Sequence, residues 1–172
     1  MKKILLLFCA IFAISAGASA QKVQVQVGYG GYTQMDGCDM HGGYGPVDNA
    51  WGALTAAVNF QVSNNLWLGG SYTFSSTSYK HDDDGHAYYH VVMLNGRYDY
   101  YRSGFLKLYG HLGIGCDITH IGFPNFSKDK GYFAFQVSPI GAEYNLSRVT
   151  NIFAELGYGA QGLLQVGFRF GI

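Results

Sequence analysis

The sequence predicts an all-β protein: an eight-stranded antiparallel up-and-down transmembrane β-barrel, with short periplasmic turns and longer extracellular loops. Three observations carry this. Apolar and polar residues alternate with period two through eight segments, the mark of strands whose two faces meet different surroundings. The connections between those segments alternate in length. Only 13% of the 172 residues are charged, while 25 are glycine. An average soluble domain has about twice that charge and about half that glycine.

Residues 1–20 read as a cleaved secretory signal peptide, and residues 21–172 as the barrel domain. Lys2 and Lys3 precede an apolar run over 4–14, and small residues end in Ala18-Ser19-Ala20. That order of charge, short apolar core and small-residue site defines an export signal. The run is shorter than the roughly 20 residues of a spanning helix. Cys9 follows Leu6-Leu7-Phe8 and lacks the small residue of a lipoprotein cleavage site.

The strands follow in order. Val23, Val25, Val27 and Tyr29 alternate with Gln24, Gln26 and Gly28. Leu54, Ala56, Val58, Phe60 and Val62 form the second apolar set, and Leu66, Leu68, Tyr72 and Phe74 the third. The fourth has Val92, Leu94, Tyr98 and Tyr100 against Asn95, Arg97 and Asp99. The fifth has Leu106, Leu108, Leu112, Ile114 and Ile118 against Lys107, His111 and Asp117. The sixth begins with Phe133, Phe135 and Val137, then shifts phase to Ile140, Ala142 and Tyr144. Pro139 sits at that shift, and proline cannot join a ladder, so a bulge is expected there. Ile152, Ala154, Leu156 and Tyr158 make the seventh set, and Leu164, Val166, Phe168 and Phe170 the eighth. No amphipathic helix is expected.

Short turns fall at 63–65, 102–104 and 146–151. Longer polar connections fall at about 35–48, 80–87 and 119–131, with a tight last turn near Gln161-Gly162. Short turns on one side and long loops on the other mark an up-and-down membrane barrel.

Alternation alone does not say which face is wet. A secreted soluble ligand-binding barrel is apolar inside, and a membrane barrel is apolar outside. Composition favours the membrane, because the polar faces offer Gly, Ser, Thr, Gln and Asn with few charges. Those charges are Arg97, Asp99, Lys107, Glu143, Glu155 and Arg169, all near short turns or the chain end. A self-neutralising layer suits a narrow interior, where an unpaired charge is costly. The inward facing of Glu143 depends on the shift at Pro139. Aromatics at strand ends (Tyr79, Tyr88, Tyr89, Tyr98, Tyr100, Tyr101, Phe105, Tyr132 and Tyr144) fit two interfacial girdles.

Over residues 22–172 the chain resembles the small eight-stranded outer-membrane proteins of Gram-negative bacteria, the OmpA/OmpX-like barrel family. The closing hairpin, Ile152-Phe153-Ala154-Glu155-Leu156-Gly157-Tyr158-Gly159 through Val166-Gly167-Phe168-Arg169-Phe170, carries most of it. Val166, Phe168 and Phe170 look like the terminal signal read by the outer-membrane barrel-insertion machinery, although this chain ends in Gly171-Ile172. The resemblance implies the cell outer membrane as location, with its lipids, lipopolysaccharide included, as surroundings. It transfers no task.

Chemistry is sparse. Lys80-His81-Asp82-Asp83-Asp84-Gly85-His86 offers His81, Asp82, Asp84 and His86 as weak metal ligands, but adjacent Asp residues do not make a calcium loop. The plain reading is a solvated loop turning at Asp84-Gly85. Enzymes on similar barrels include lipid A deacylases and palmitoyl transferases. No Ser lies two residues after any of the six His, and no amphipathic helix precedes the first strand. His111, beside Lys107 and Asp117 in the pattern, reads as a hydrogen-bonded lumen residue. Cys38 and Cys116 lie on strands or loops that are not neighbours, and Cys116 keeps step with lipid-facing Leu112 and Ile114. Two independent thiols are expected. With 11 Lys+Arg against 11 Asp+Glu, no basic surface for nucleic acid exists.

The expected function is therefore a non-enzymatic integral outer-membrane barrel, with no catalytic residue and no cofactor. Its role is structural, or surface interaction through extracellular loops, and the sequence names no extracellular partner. A narrow porin-like transport barrel is the first alternative, although eight strands leave an interior just wide enough for side chains. The soluble secreted barrel is the second.

Overall fold

A computed structural model of the chain describes residues 22–37, 47–79, 82–123 and 126–172. Eight strands form: β1 (Val23–Gly31), β2 (Val47–Gln61), β3 (Leu66–Tyr79), β4 (Asp82–Arg102), β5 (Leu106–Phe123), β6 (Phe126–Asn145), β7 (Thr150–Gly159) and β8 (Leu164–Gly171). Each pairs antiparallel with its neighbours in sequence order, and β1 pairs with β8 to close the barrel. Closure leaves no free edge along the shared height, so the ladders pair the backbone there without helices.

Period-two alternation sets which face is which. On β8, Leu164, Val166, Phe168 and Phe170 are exposed, while Gln165 and Arg169 are buried. On β4, Val92, Leu94, Tyr98 and Tyr100 point out, and Asn95, Arg97 and Asp99 point in. An apolar exterior around a polar interior is the inverse of a soluble barrel.

The expected bulge is present. Register shifts between Val137 and Ile140 on the β7 side, and both residues are exposed. The outward set moves from odd to even positions there, which turns Glu143 inward.

Strand ends differ from the sequence pattern. β4 reaches back to Asp82, so most of 80–87 is a ladder with Ser78 opposite His86. Residues 119–131 are likewise mostly hairpin, Phe123 facing Phe126, and β2 begins at Val47. Above the bilayer the outer face is polar, with His86 and His120 exposed, while Ala87 and Ile121 are buried inside, so pairing continues without the apolar-out alternation that reveals it lower down. A spanning strand needs about 9–11 residues, whereas β4, β5 and β6 have 21, 18 and 20. With 10 residues in β7 and 8 in β8, one wall of the barrel stands much taller than the other.

Two further differences concern the upper interior. One helical turn, α1 (Gln34–Gly37), follows β1. Tyr89, expected in a girdle, is fully buried with Met35, Val91, Met93, Ile121, Ala134 and Ala160. It falls on the inward phase of β4, with Tyr88 outside. Tyr88 does join an outer aromatic band: Phe74 stacks on it at 6.4 Å and meets Trp51 at 6.1 Å.

Candidate functional site

The six charged residues singled out from the sequence meet inside the barrel near the short turns. They come from different strands: Arg97 and Asp99 from β4, Lys107 from β5, Glu143 from β6, Glu155 from β7 and Arg169 from β8. Register supplies the common height, since Lys107 lies opposite Glu143 across the β5–β6 ladder.

Glu143 is the hub. Its Oε2 accepts from Arg97 Nη1 and from Arg169 Nη1, each at 2.9 Å. Its Oε1 accepts from Lys107 Nζ at 2.6 Å and from Asn151 Nδ2 at 3.1 Å. Arg169 also donates through Nη2 to Glu155 Oε1 at 2.7 Å and through Nε to Gln26 at 2.8 Å. Arg97 donates to Gln24 at 3.0 Å, and its Nε lies 3.1 Å from Asp99 Oδ1 as an ion pair without hydrogen-bond alignment. Asp99 Oδ2 accepts from Arg102 Nη2 at 2.6 Å and from the Trp67 indole at 3.3 Å. Every bridge therefore links separate strands except those within β4, and the layer ties the wall together from inside.

Rings complete it. The Arg97 guanidinium lies 4.8 Å from the Trp67 ring centre and 5.0 Å from that of Tyr109. Arg169 lies 4.6 Å from Tyr109 and 4.1 Å from Phe153. Tyr109 thus stands between two cations, in an alternating stack of ring and guanidinium across the lumen. Ring faces are electron-rich and attract cations most strongly away from water. The Tyr109 hydroxyl donates to Glu155 Oε1 at 2.9 Å.

Burial gives these contacts their weight. Glu143, Asp99, Glu155 and Arg169 are all at most 2% exposed. Buried charges are expensive to desolvate, and the expense is offset only when each finds partners of good geometry. Chemically the arrangement can brace the wall and narrow the lumen. Its carboxylates are all engaged by cations, and none faces a substrate-sized opening in the described interior.

His111 has a partner the sequence pattern did not give. Its Nδ1 lies 2.9 Å from Glu155 Oε2, and the contacts at Lys107 and Asp117 go elsewhere. Trp67, Tyr109, Phe153 and Asn151 carry no charge to single them out, and Gln24 and Gln26 stand in the sequence only as the polar face of the first strand, yet all occupy the inward phase of their strands. Arg102 was hidden in a short turn and carries no such signal.

Of the metal-type residues only His86 can be placed with its side chain. His81 and Cys38 lie outside the described residues, as do the side chains of Asp82 and Asp84. His86 is exposed on β4. Among the described residues no three His, Cys, Asp or Glu converge as a metal site. Cys116 is a free, exposed thiol on β5.

A closed eight-stranded barrel, greasy outside and ion-paired inside, is a membrane barrel of the outer-membrane type. The chain belongs to the outer membrane protein beta-barrel domain family, whose sequence pattern matches residues 4–163. Its place is the Gram-negative outer membrane.

Two solved structures share the fold, and a third is reported beside them. The N-terminal β-barrel domain of Pseudomonas aeruginosa OprF matches at 11% identity and a TM-score of 0.57, over 88% of this chain and 97% of that one. Neisserial surface protein A matches at 13% identity and a TM-score of 0.58, over 90% and 98%. Ail, the attachment invasion locus protein of Yersinia pestis, matches at 16% identity over 88% and 93%, with a TM-score of 0.48. A comparison with curated proteins finds no match.

Proposed function

We propose that this protein is a closed, non-enzymatic barrel of the outer membrane that reinforces the envelope and presents its tall wall for surface contacts. The observation that carries this reading is the hub at Glu143, where Arg97, Arg169 and Lys107 converge on one carboxylate. Such a layer spans a lumen barely wider than its own side chains. The tall β3–β6 wall supports the outward-facing half of the reading, because strands of about twice the spanning length stand clear of the bilayer.

The surroundings follow from the same faces. Lipid, lipopolysaccharide included, would coat the apolar belt. The barrel-insertion machinery would read Val166, Phe168 and Phe170 on β8. Residues 1–20 would direct export and be removed.

Swelling of proteoliposomes in small sugars tests the closed lumen. The reading expects no swelling above empty vesicles. Rapid swelling would favour a narrow solute passage instead.

A further inference from the structure

The segment just after β1 departs from everything around it. Tyr32, at φ 52°, holds a left-handed backbone that a non-glycine residue adopts reluctantly. That single residue turns the chain from the wall toward the lumen. Thr33, Gln34 and Met35 beyond it are each at most 3% exposed.

Three fasteners hold the turned segment. Met35 inserts among Tyr89, Val91 and Met93 of β4, Ile121 of β5 and Ala134 of β6. Gln34 docks on the edge of β6, where the shorter β7 no longer pairs. Its Nε2 donates to Phe133 O at 3.1 Å, and its Oε1 accepts from Phe135 N at 3.3 Å. The side-chain amide thus takes the hydrogen bonds a neighbouring strand would take. Thr33 and Asp36 form a reciprocal cap on the turn, with Asp36 Oδ2 accepting from Thr33 N at 2.7 Å and Thr33 Oγ1 accepting from Asp36 N at 3.4 Å.

We infer that the turn at 33–37 is a lid that shuts the extracellular mouth of the barrel independently of the charged layer. The two closures share no residue, and they differ in chemistry. One is an apolar plug clipped by neutral hydrogen bonds of Gln34, the other a salt-bridged layer. The lid carries the uncharged Gln34 clip and the left-handed hinge at Tyr32, so it is the closure that opens first. Between them lies Ser71, four residues beyond Trp67 on β3 and opposite Met93. It is buried and accepts from Gln161 Nε2 at 3.1 Å.

This inference rests on the closed-lumen reading, and one labelling experiment separates the two. Ser71→Cys is placed in a chain whose own cysteines are replaced by serine, and intact cells meet a membrane-impermeant maleimide. The parent lid is expected to protect the thiol. Gln34→Ala with Met35→Ala should raise its labelling rate at least tenfold, while Glu143→Gln should leave it protected from outside. Folding of each variant is checked by heat-modifiability on gels. Gln34→Ala alone, which keeps the buried methionine, should give an intermediate rate. Labelling as fast in the parent as in the lid variants would overturn the closed lumen itself. Protection that persists in the folded Gln34→Ala and double variants would overturn the lid and leave the closed lumen standing.

Discussion

The ring of Tyr109 lies flat against the α-carbon of Gly141, so that a β-carbon on residue 141 would fall within the ring's own contact surface. The absent side chain is what lets Tyr109 reach the middle of the lumen and stand between Arg97 and Arg169. Gly141→Ala should therefore displace the ring and cost about 1–3 kcal/mol, the range of overpacking in tight interiors. Gly70→Ala, whose β-carbon would meet only Met93 O at 3.7 Å, should stay within about 0.5 kcal/mol of the parent. Urea unfolding of the two variants in the same lipid vesicles measures the contrast.

Removing the hub should be worse than removing a spoke. Glu143→Gln leaves two buried guanidiniums short of an anion, and breaking a buried pair from one side costs about 3–5 kcal/mol. Lys107→Gln removes an ammonium that is 22% exposed and leaves Glu143 paired with Arg97 and Arg169, so its effect should fall near the 1 kcal/mol or so of an exposed pair. Heat-modifiability midpoints should order parent, Lys107→Gln and Glu143→Gln from most to least stable.

Leu94 and Ile114 sit opposite each other on the outer face, 72% and 60% exposed. Arginine at Leu94 should cost about 2–4 kcal/mol if the residue lies at the bilayer midplane, and the penalty falls to about 0–1 kcal/mol near an interface. Leu146, exposed in the β6–β7 turn, should accept arginine with that smaller penalty. Equal tolerance at both sites, read by unfolding in vesicles, would contradict the assigned facing.

The tall wall makes a separate prediction. Joining Ser78 to His86 and Gly122 to Ser127 through two-residue turns removes the hairpin tips and keeps the cross-strand pairs beneath them. The trimmed chain should fold and remain heat-modifiable. Adhesion of expressing cells to coated surfaces should drop to the level of cells without the protein. Unchanged adhesion would leave the barrel with a structural role alone.

The sequence made the membrane-embedded part legible because a bilayer enforces strict alternation. Leu164 to Phe170 could be sorted in or out by counting, and Pro139 announced the shift that turns Glu143 inward. The same count identified Arg97, Asp99, Lys107, Glu155 and Arg169 as one inner layer, although not which cation meets which carboxylate. That pairing depends on register between strands far apart in sequence, as with Arg97 and Glu143. The rest was illegible for physical reasons. Above the bilayer the outer face turns polar, as at His86 and His120, while Ala87, Thr119 and Ile121 are buried, so the apolar-out pattern of the embedded strands stops there. Met35 and Gln34 carry no periodic signal, since they act as a single turn against a wall that the chain builds only later.

In the proposed closed barrel ion-paired side chains stop the lumen, and single-channel recording in a planar bilayer reads that stop as the absence of current. The parent should show no stable open level, and Glu143→Gln alone should stay silent behind the intact lid. Glu143→Gln combined with Gln34→Ala and Met35→Ala should pass small ions in discrete steps. Stable steps from the parent would contradict a closed lumen, as a combined variant that is folded by heat-modifiability and yet silent would contradict the ion-paired stop.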